Sequence, residues 1–283
     1  IREYAEKYPD IIVPIFFEEN MYSKNIPVVP EYAIPAARGE YLAFCEGDDY
    51  WTDPEKLSIQ AAWLDAHPDY SACVHNTMNY YCDTGREAPY NTRYHGNRDL
   101  GFADVVNGVG GVFHTSSVMA RASLFRELPD YCVVSEKHGV GDHPRAIMFA
   151  LSGKIRYIDR FMSVYRNNST PTAWTTRIRE NAFLVDRLTG AVEMYTAALG
   201  HVEGEDKKLL EQTLHRYEWE LLQAKGEYAE MRREPYRTIT KQRGLVQTLW
   251  LDFKQYCPEL YCLYMKARGM ENGIPEKLRK DKR

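Results

Sequence analysis

The chain has 283 residues, 44% of them hydrophobic and 27% charged, which suits one substantial domain with an appendage or two small domains and excludes fibrous, collagen-like and disordered chains. With 36 basic against 40 acidic residues the formal charge is −4, so no basic excess asks for a nucleic acid partner. The total hides a gradient: residues 1–176 carry 16 basic and 23 acidic side chains, 177–283 carry 20 and 17, and 231–283 alone carry 13 and 6. The tail is where an anionic surface is expected. Six scattered cysteines with no CxxC pair fit a reducing compartment, and no apolar run approaches the length of a membrane span. The expected location is cytoplasmic, with the inner face of the membrane as an option.

In chain order, the amphipathic set Ile1, Tyr4, Ala5 and Tyr8 predicts a helix over 1–8 and reads as a chain whose beginning lies upstream. Ile11 to Phe17, interrupted by Pro14, predicts a buried strand. Glu31 to Arg38 predicts a short helix closed by Gly39, with Pro30 near its start and Pro35 a flaw within it. Tyr41 to Cys45 reads as a second buried strand that runs directly into Glu46-Gly47-Asp48-Asp49-Tyr50-Trp51. Asp53-Pro54-Glu55 then supplies a cap, a proline and a first-turn acid for a helix with Leu57, Ala61 and Leu64 on one face. Ser71 to Tyr81 is a third strand. Residues 83–111 form a long loop relieved by a helical turn at Phe102 to Val106, and a loop of that length inside a domain is usually functional or mobile. Val112 to Arg121 predicts a strand, Ala122 to Leu128 a helix, Tyr131 to Gly141 a loop, and Pro144 to Leu151 a helix stopped by Gly153. Ile155 to Ile158 and Met162 to Arg166 predict two further strands. Beyond Trp174 the periodicity predicts helices over 178–199, 205–232 and 245–266. The pattern is an α/β domain over 1–175 followed by a helical extension over 176–283.

Chemistry concentrates at Asp48 and Asp49. Ligands of open α/β sheets bind beyond the carboxyl ends of strands, and two adjacent carboxylates there, with Glu46 two residues earlier, suit a hard divalent cation such as Mg or Mn that also takes phosphate oxygens. A bare Asp-Asp pair more often ends a strand, but here Thr52 or Asp53 already caps the helix.

The segment Ala37-Arg38-Gly39-Glu40-Tyr41-Leu42-Ala43-Phe44-Cys45-Glu46-Gly47-Asp48-Asp49-Tyr50-Trp51-Thr52-Asp53-Pro54-Glu55-Lys56-Leu57 resembles the central signature of family 2 glycosyltransferases of the GT-A fold, in which a GEY strand leads into a DxD-type metal motif. The resemblance covers residues 1 to about 170, with vaguer flanks at Tyr70 to Asn76 and His114 to Phe125. It implies a Rossmann-type mixed sheet flanked by helices, with Asp48 holding the ribose or metal of a nucleotide-sugar and Asp49 coordinating the metal that bridges its diphosphate. Glu46 stands where many members have the first Asp, so the motif reads ExDD. Members begin with a strand and a DDGS-type motif ahead of the helix in which this chain opens, so the resemblance implies that part of the base pocket is supplied upstream. Relatives often carry a histidine two residues after the arginine of Tyr165-Arg166-Asn167-Asn168, and Asn168 receives no role.

Asp142, in Gly139-Val140-Gly141-Asp142-His143-Pro144, stands where the family places the base that takes the acceptor's proton; an acid just before Pro144 is equally an ordinary helix-start residue. Tyr50 and Trp51 can stack on a sugar or line the acceptor groove, or simply pack the turn. Arg166 is expected to neutralise phosphate, and Arg38 either to approach the diphosphate or to sit in solvent. His114, His138 and His143 match no compact metal motif and read as satisfied or exposed. In the tail, Val246, Leu249, Trp250, Phe253, Cys257, Leu260, Tyr261 and Tyr264 form an apolar face that either packs internally or docks on anionic lipid.

The expectation is a metal-dependent, inverting transferase that moves a sugar from a nucleotide-sugar, with a UDP-sugar as the expected donor, to a glycan or lipid-linked acceptor in surface polysaccharide assembly. The alternatives are a non-catalytic, truncated binding module and a metal-dependent phosphoesterase using Asp48, Asp49 and His143.

Overall fold

A computed structural model describes residues 1–21, 24, 26–108, 112–136, 138, 141–168, 170 and 174–279. Helix α1 (Arg2–Lys7) comes first; further along are a five-residue π-helical turn (Val29–Ala33) and a single helical turn, α2 (Ile34–Ala36). Then come β1 (Tyr41–Ala43), β2 (Tyr50–Trp51), α3 (Lys56–Ala66), β3 (Tyr70–Tyr81), β4 (Arg86–Pro89), β5 (Arg98–Leu100), α4 (Phe102–Asn107) and β6 (Met119–Arg121). Helices α5 (Asp130–Glu136) and α6 (Asp142–Ser152) lead to β7 (Lys154–Asn167). Among the described residues there follow the helices α7 (Trp174–Arg177), α8 (Asn181–Ala198), α9 (Gly204–Lys225), α10 (Tyr236–Gln242), α11 (Leu245–Tyr256) and α12 (Pro258–Ala267).

Among the described residues the sheet is mixed, with seven strands. Its spine is the long parallel pair β3 and β7, and the strand order is β1-β6-β3-β7-β2. Each outer edge of that pair is shared by two short antiparallel strands. β6 pairs with Ala72 and Cys73 of β3 while β4 pairs with Met78 to Tyr81; β5 pairs with Ile155 to Tyr157 of β7 while β2 pairs with Ser163 and Val164. Between the two halves the β3–β7 register shifts at His75, Asn76 and Phe161. Side chains take over from the ladder there: Asn76 Nδ2 donates to the Asn91 carbonyl (3.0 Å), and the Asn91 and Thr77 amides donate to Asn76 Oδ1 (3.1 and 2.9 Å). Since β1 and β2 stand at opposite ends of the strand order, residues 44–49 cross from one edge of the sheet to the other.

Strand periodicity sorts the core into two layers. Ala72 and Val74 join Ile155, Tyr157, Val105, Ile147, Phe149, Met194, Tyr195, Leu210 and Leu214, so α4, α6, α8 and α9 cover one face. Cys73, Tyr70 and Met119 face Leu64 of α3 on the other. Helix α3 begins at Lys56, two positions after the proline expected to open it, and Asp53 Oδ1 accepts the Glu55 amide (2.9 Å) in the turn ahead of it. The later half of α9 turns to a third cluster, in which Trp219 packs with Tyr228, Met231 and Leu251. Tyr261, Met265 and Ile274 form a fourth. Trp250 and Phe253 pack against that last cluster, whereas Leu245, Val246, Leu249, Leu260 and Leu263 remain exposed. No helix among the described residues is long and apolar enough to cross a membrane, and all six cysteines are free thiols.

Five expectations are corrected. Ile11 to Phe17 is not a strand: Ile11 and Val13 are 78% and 59% exposed, since an apolar run broken by Pro14 becomes a strand only where a ladder partner exists. Tyr131 to Gly141 is not a loop through its first part, because α5 buries Tyr131 and Cys132 against α8; positions 137, 139 and 140 lie outside the described residues. Val112 to Arg121 is a strand only from Met119, because the His114 side chain accepts the Ser116 amide and winds residues 115–117 into a 3₁₀ turn. The two strands expected over 155–166 are one continuous β7. The helix expected from Pro144 begins earlier, at Asp142.

Candidate functional site

Residues 44–49 leave β1 and close a turn in which the Asp49 amide donates to the Glu46 carbonyl (3.0 Å). The β2–β7 register then sets Asp49 beside the end of β7, where the Arg166 amide donates to Asp49 Oδ1 (3.1 Å) and Arg166 Nε donates to the Asp48 carbonyl. The Asp49 side chain is fully buried, and among the described residues its second oxygen, Oδ2, has no hydrogen-bond partner. That oxygen lies 3.5 Å from His114 Nδ1, while Glu46 Oε2 lies 3.8 Å from His114 Nε2. Glu46, Asp49 and His114 thus each offer one ligand atom within 4.8 Å of the others, a set that can hold a metal ion.

The imidazole is held from both sides. Tyr165 stacks on it with centroids 4.3 Å apart, and Tyr90 meets it edge-on at 5.3 Å. Burial lowers His114 to about 4, so at neutral pH it is an uncharged nitrogen donor. Loss of surrounding water, then the charges of Asp49, Asp142 and Asp48, push Glu46 up to about 7. Burial likewise raises Asp49 to about 6, against the pull of the Arg166 amide. Two carboxylates with raised pKa, Asp49 buried and Glu46 half-exposed, stand beside a neutral imidazole, an arrangement that a positive charge would stabilise.

Asp142 is exposed in the first turn of α6, and its Oδ1 accepts the His143 amide (2.8 Å). Its charge is felt at Glu46, His114, Tyr90 and Tyr165, so it faces the same cluster. Arg145, one turn further on, opposes the rise at Glu46. Its guanidinium packs on Gly141, where an added Cβ would lie 2.8 Å from Nη2.

The structure therefore gathers Glu46, Asp48, Asp49, Arg166 and Asp142. Tyr50 flanks them and is 45% exposed. Trp51 is already engaged: its indole N–H donates to the Ser116 carbonyl (2.9 Å), and Lys56 Nζ lies 4.3 Å from its ring centre. Arg38 is not brought to the cluster; it precedes β1, at the other end of that strand, and lines a separate cleft of about 560 Å³ with Leu42, Phe125 and Arg126. His143 turns to the Tyr195 hydroxyl, 3.1 Å from its Nε2, which leaves it outside the metal-binding set. Arg145 is passed over by the sequence reading, and His114, read there as satisfied or exposed, instead joins the metal-binding set. The signal for His114 was its place in the 114–125 stretch, immediately before the Ser-Ser turn that enters β6.

No family model matches the chain. Uncharacterized proteins of Mycobacterium bovis and of two Mycobacterium tuberculosis strains are each 33% identical to it over 172 residues, which is 60% of this chain and 46% of the relative. The chain spans about half the length of the curated relatives it matches.

Proposed function

We propose that the chain is a divalent-metal-dependent glycosyltransferase that moves a sugar, with inversion, from a nucleotide-diphosphate sugar to a hydroxyl of a glycan or lipid-linked acceptor. One observation carries this reading: the acidic turn that resembles the family signature meets His114, and the charge of Asp142 is felt at the same place. Mg or Mn fits the residues present, because the donor set is two hard carboxylate oxygens and one neutral nitrogen, and one of those oxygens is buried without a partner. Glu46, Asp49 and His114 would hold the ion, which when bound supplies positive charge for the diphosphate.

The chain's own groups account for the rest. Asp48, exposed beside the buried Asp49, offers oxygens to a ribose hydroxyl. Asp142 accepts the acceptor's proton as the acceptor oxygen bonds to the anomeric carbon and the bond from that carbon to the diphosphate oxygen breaks. Arg166 holds the turn through its amide and Nε, a positioning role beside the phosphate neutralisation expected from the sequence. Tyr50 presents the aromatic face still open to a sugar. The exposed leucines of α11 and α12, together with the basic excess of 231–283, support contact with anionic lipid where a lipid-linked acceptor would be met.

Calorimetry with a UDP-sugar, with Mn and after chelation, tests the reading. Binding should weaken at least about ten-fold on chelation, a loss near 1.4 kcal/mol, and Asp49→Ala should bind weakly whether or not Mn is present. Unchanged affinity of the variant at equal metal would remove Asp49 from the site. Release of inorganic phosphate without any acceptor would favour the phosphoesterase.

A further inference from the structure

A second polar cavity, of about 210 Å³, lies among α8, α9 and α11, far along the chain from the acidic turn. Leu184, Leu188 and Pro275 give it an apolar wall, and Tyr228, Arg243 and Lys254 a polar one. Lys254 is only 8% exposed and Tyr228 only 4%. Among the described residues the Lys254 ammonium makes no ion pair or hydrogen bond. Its neighbours are the rings of Tyr261, Trp250 and Tyr228, with centroids 5.6, 5.8 and 5.9 Å from Nζ. Those distances are at the outer limit of useful cation–π attraction. The Tyr228 hydroxyl is likewise buried with no hydrogen-bond partner. Arg243 is paired with Glu220, which also lines the cavity, at 2.9 Å, so Lys254 is the uncompensated charge of the wall.

A buried cation is retained at a cost unless a counter-charge meets it, and burial already draws Lys254 down to about 8. An ammonium with three donor protons beside an unsatisfied phenol is the complement of an oxyanion. A carboxylate's two oxygens would use fewer of these donors than the three terminal oxygens of a phosphate. The apolar wall leaves room for a carbon substituent.

We infer that this cavity binds the phosphate group of a small phosphomonoester or of a lipid headgroup, with Lys254 Nζ and Tyr228 Oη as its donors. The inference is independent of the transferase reading. Its test uses the full chain with chelator present, so that metal-assisted binding at the acidic turn is silent. Thermal denaturation is followed in chloride, inorganic phosphate and glycerol phosphate at matched ionic strength. Sedimentation is followed with phosphatidylcholine vesicles with and without phosphatidic acid.

A soluble phosphate should raise the melting temperature by on the order of 2 to 4 °C. Lys254→Met should abolish that rise, yet melt in chloride at or above the parent, since an unpaired buried charge has gone. Tyr228→Phe should reduce the rise. Lys254-dependent sedimentation with phosphatidic acid but no response to soluble phosphate would support the inference with the lipid as source. A rise that persists in Lys254→Met overturns it, as does a parent chain that responds to neither arm. Should Lys254→Met fail to fold, an undiminished response in Tyr228→Phe overturns the assignment of donors.

Discussion

Asp49 and Asp142 face one cluster but differ in contact with water: the Asp49 side chain is fully buried, while Asp142 stands exposed at a helix start. Asp142→Asn keeps the hydrogen bond to the His143 amide and removes only the basic lone pair. Transfer should fall about a hundred-fold to ten-thousand-fold with donor affinity retained, whereas a mere helix-start acid would cost on the order of 0.3 to 1 kcal/mol of stability and little activity. Rate, affinity and melting temperature from one preparation separate the two. His75 makes a different prediction. Buried in β3 with Nδ1 2.7 Å from the Asn76 carbonyl and Nε2 unpartnered, it is lowered by burial to about 3. Above its unfolded value of about 6.5 the ring is neutral in both states and contributes nothing. Below that, the unfolded chain takes up a proton the folded chain refuses, so stability falls with pH, by about 2 kcal/mol at pH 5. The raised carboxylates Glu46 and Asp49 act in the opposite direction in the metal-free chain, so the parent must be compared with His75→Gln. The variant should lose less melting temperature between pH 7 and pH 5, and equal losses would deny His75 the role. The acidic pair was legible because Asp48 and Asp49 adjoin in sequence and had no capping task. His114 was not, because its partners lie 65 and 68 positions earlier and only the fold joins them.

Helix α3 shows what a single element can hold. Gln60 is fully buried on it, accepts from Lys56 Nζ (2.8 Å), and donates to the carbonyls of Cys73 (2.7 Å) and Ser117 (2.9 Å). One amide thus ties the helix to β3 and to the turn that follows His114. Gln60→Leu leaves two carbonyls and a buried ammonium unsatisfied, and should destabilise by on the order of 2 to 4 kcal/mol; chemical denaturation reads it directly. A loss below about 0.5 kcal/mol, the range of ordinary surface changes, would mean water replaces the amide. The existence of α3 and the span of β3 were readable because period is local, although α3 buries Lys56 and Gln60 with Leu64 and leaves Leu57 exposed. The stretch Ile11 to Phe17 was not, because pairing is a property of two segments and hydropathy reports only one.

At the scale of the molecule, the sheet and the following helices share a core. Met194, Tyr195, Ala198 and Leu210 are at most 1% exposed and pack with Val74, Ile155 and Tyr157. A chain cut after Arg177 uncovers that face, and should lose near-UV dichroism and bind a hydrophobic dye; a sharp, native-like melt would show that the sheet stands without α8 and α9. The same view gives the crossing at residues 44–49 a mechanical meaning. β1 and β2 share no ladder, so their separation is set by the twist accumulated through β6, β3 and β7. The acidic turn is a chord drawn across that arc. Any force that draws Glu46 and Asp49 toward His114 tightens the chord and is delivered to both rims of the sheet at once, which makes this short connection a gauge of the sheet's curvature as well as a carrier of charge.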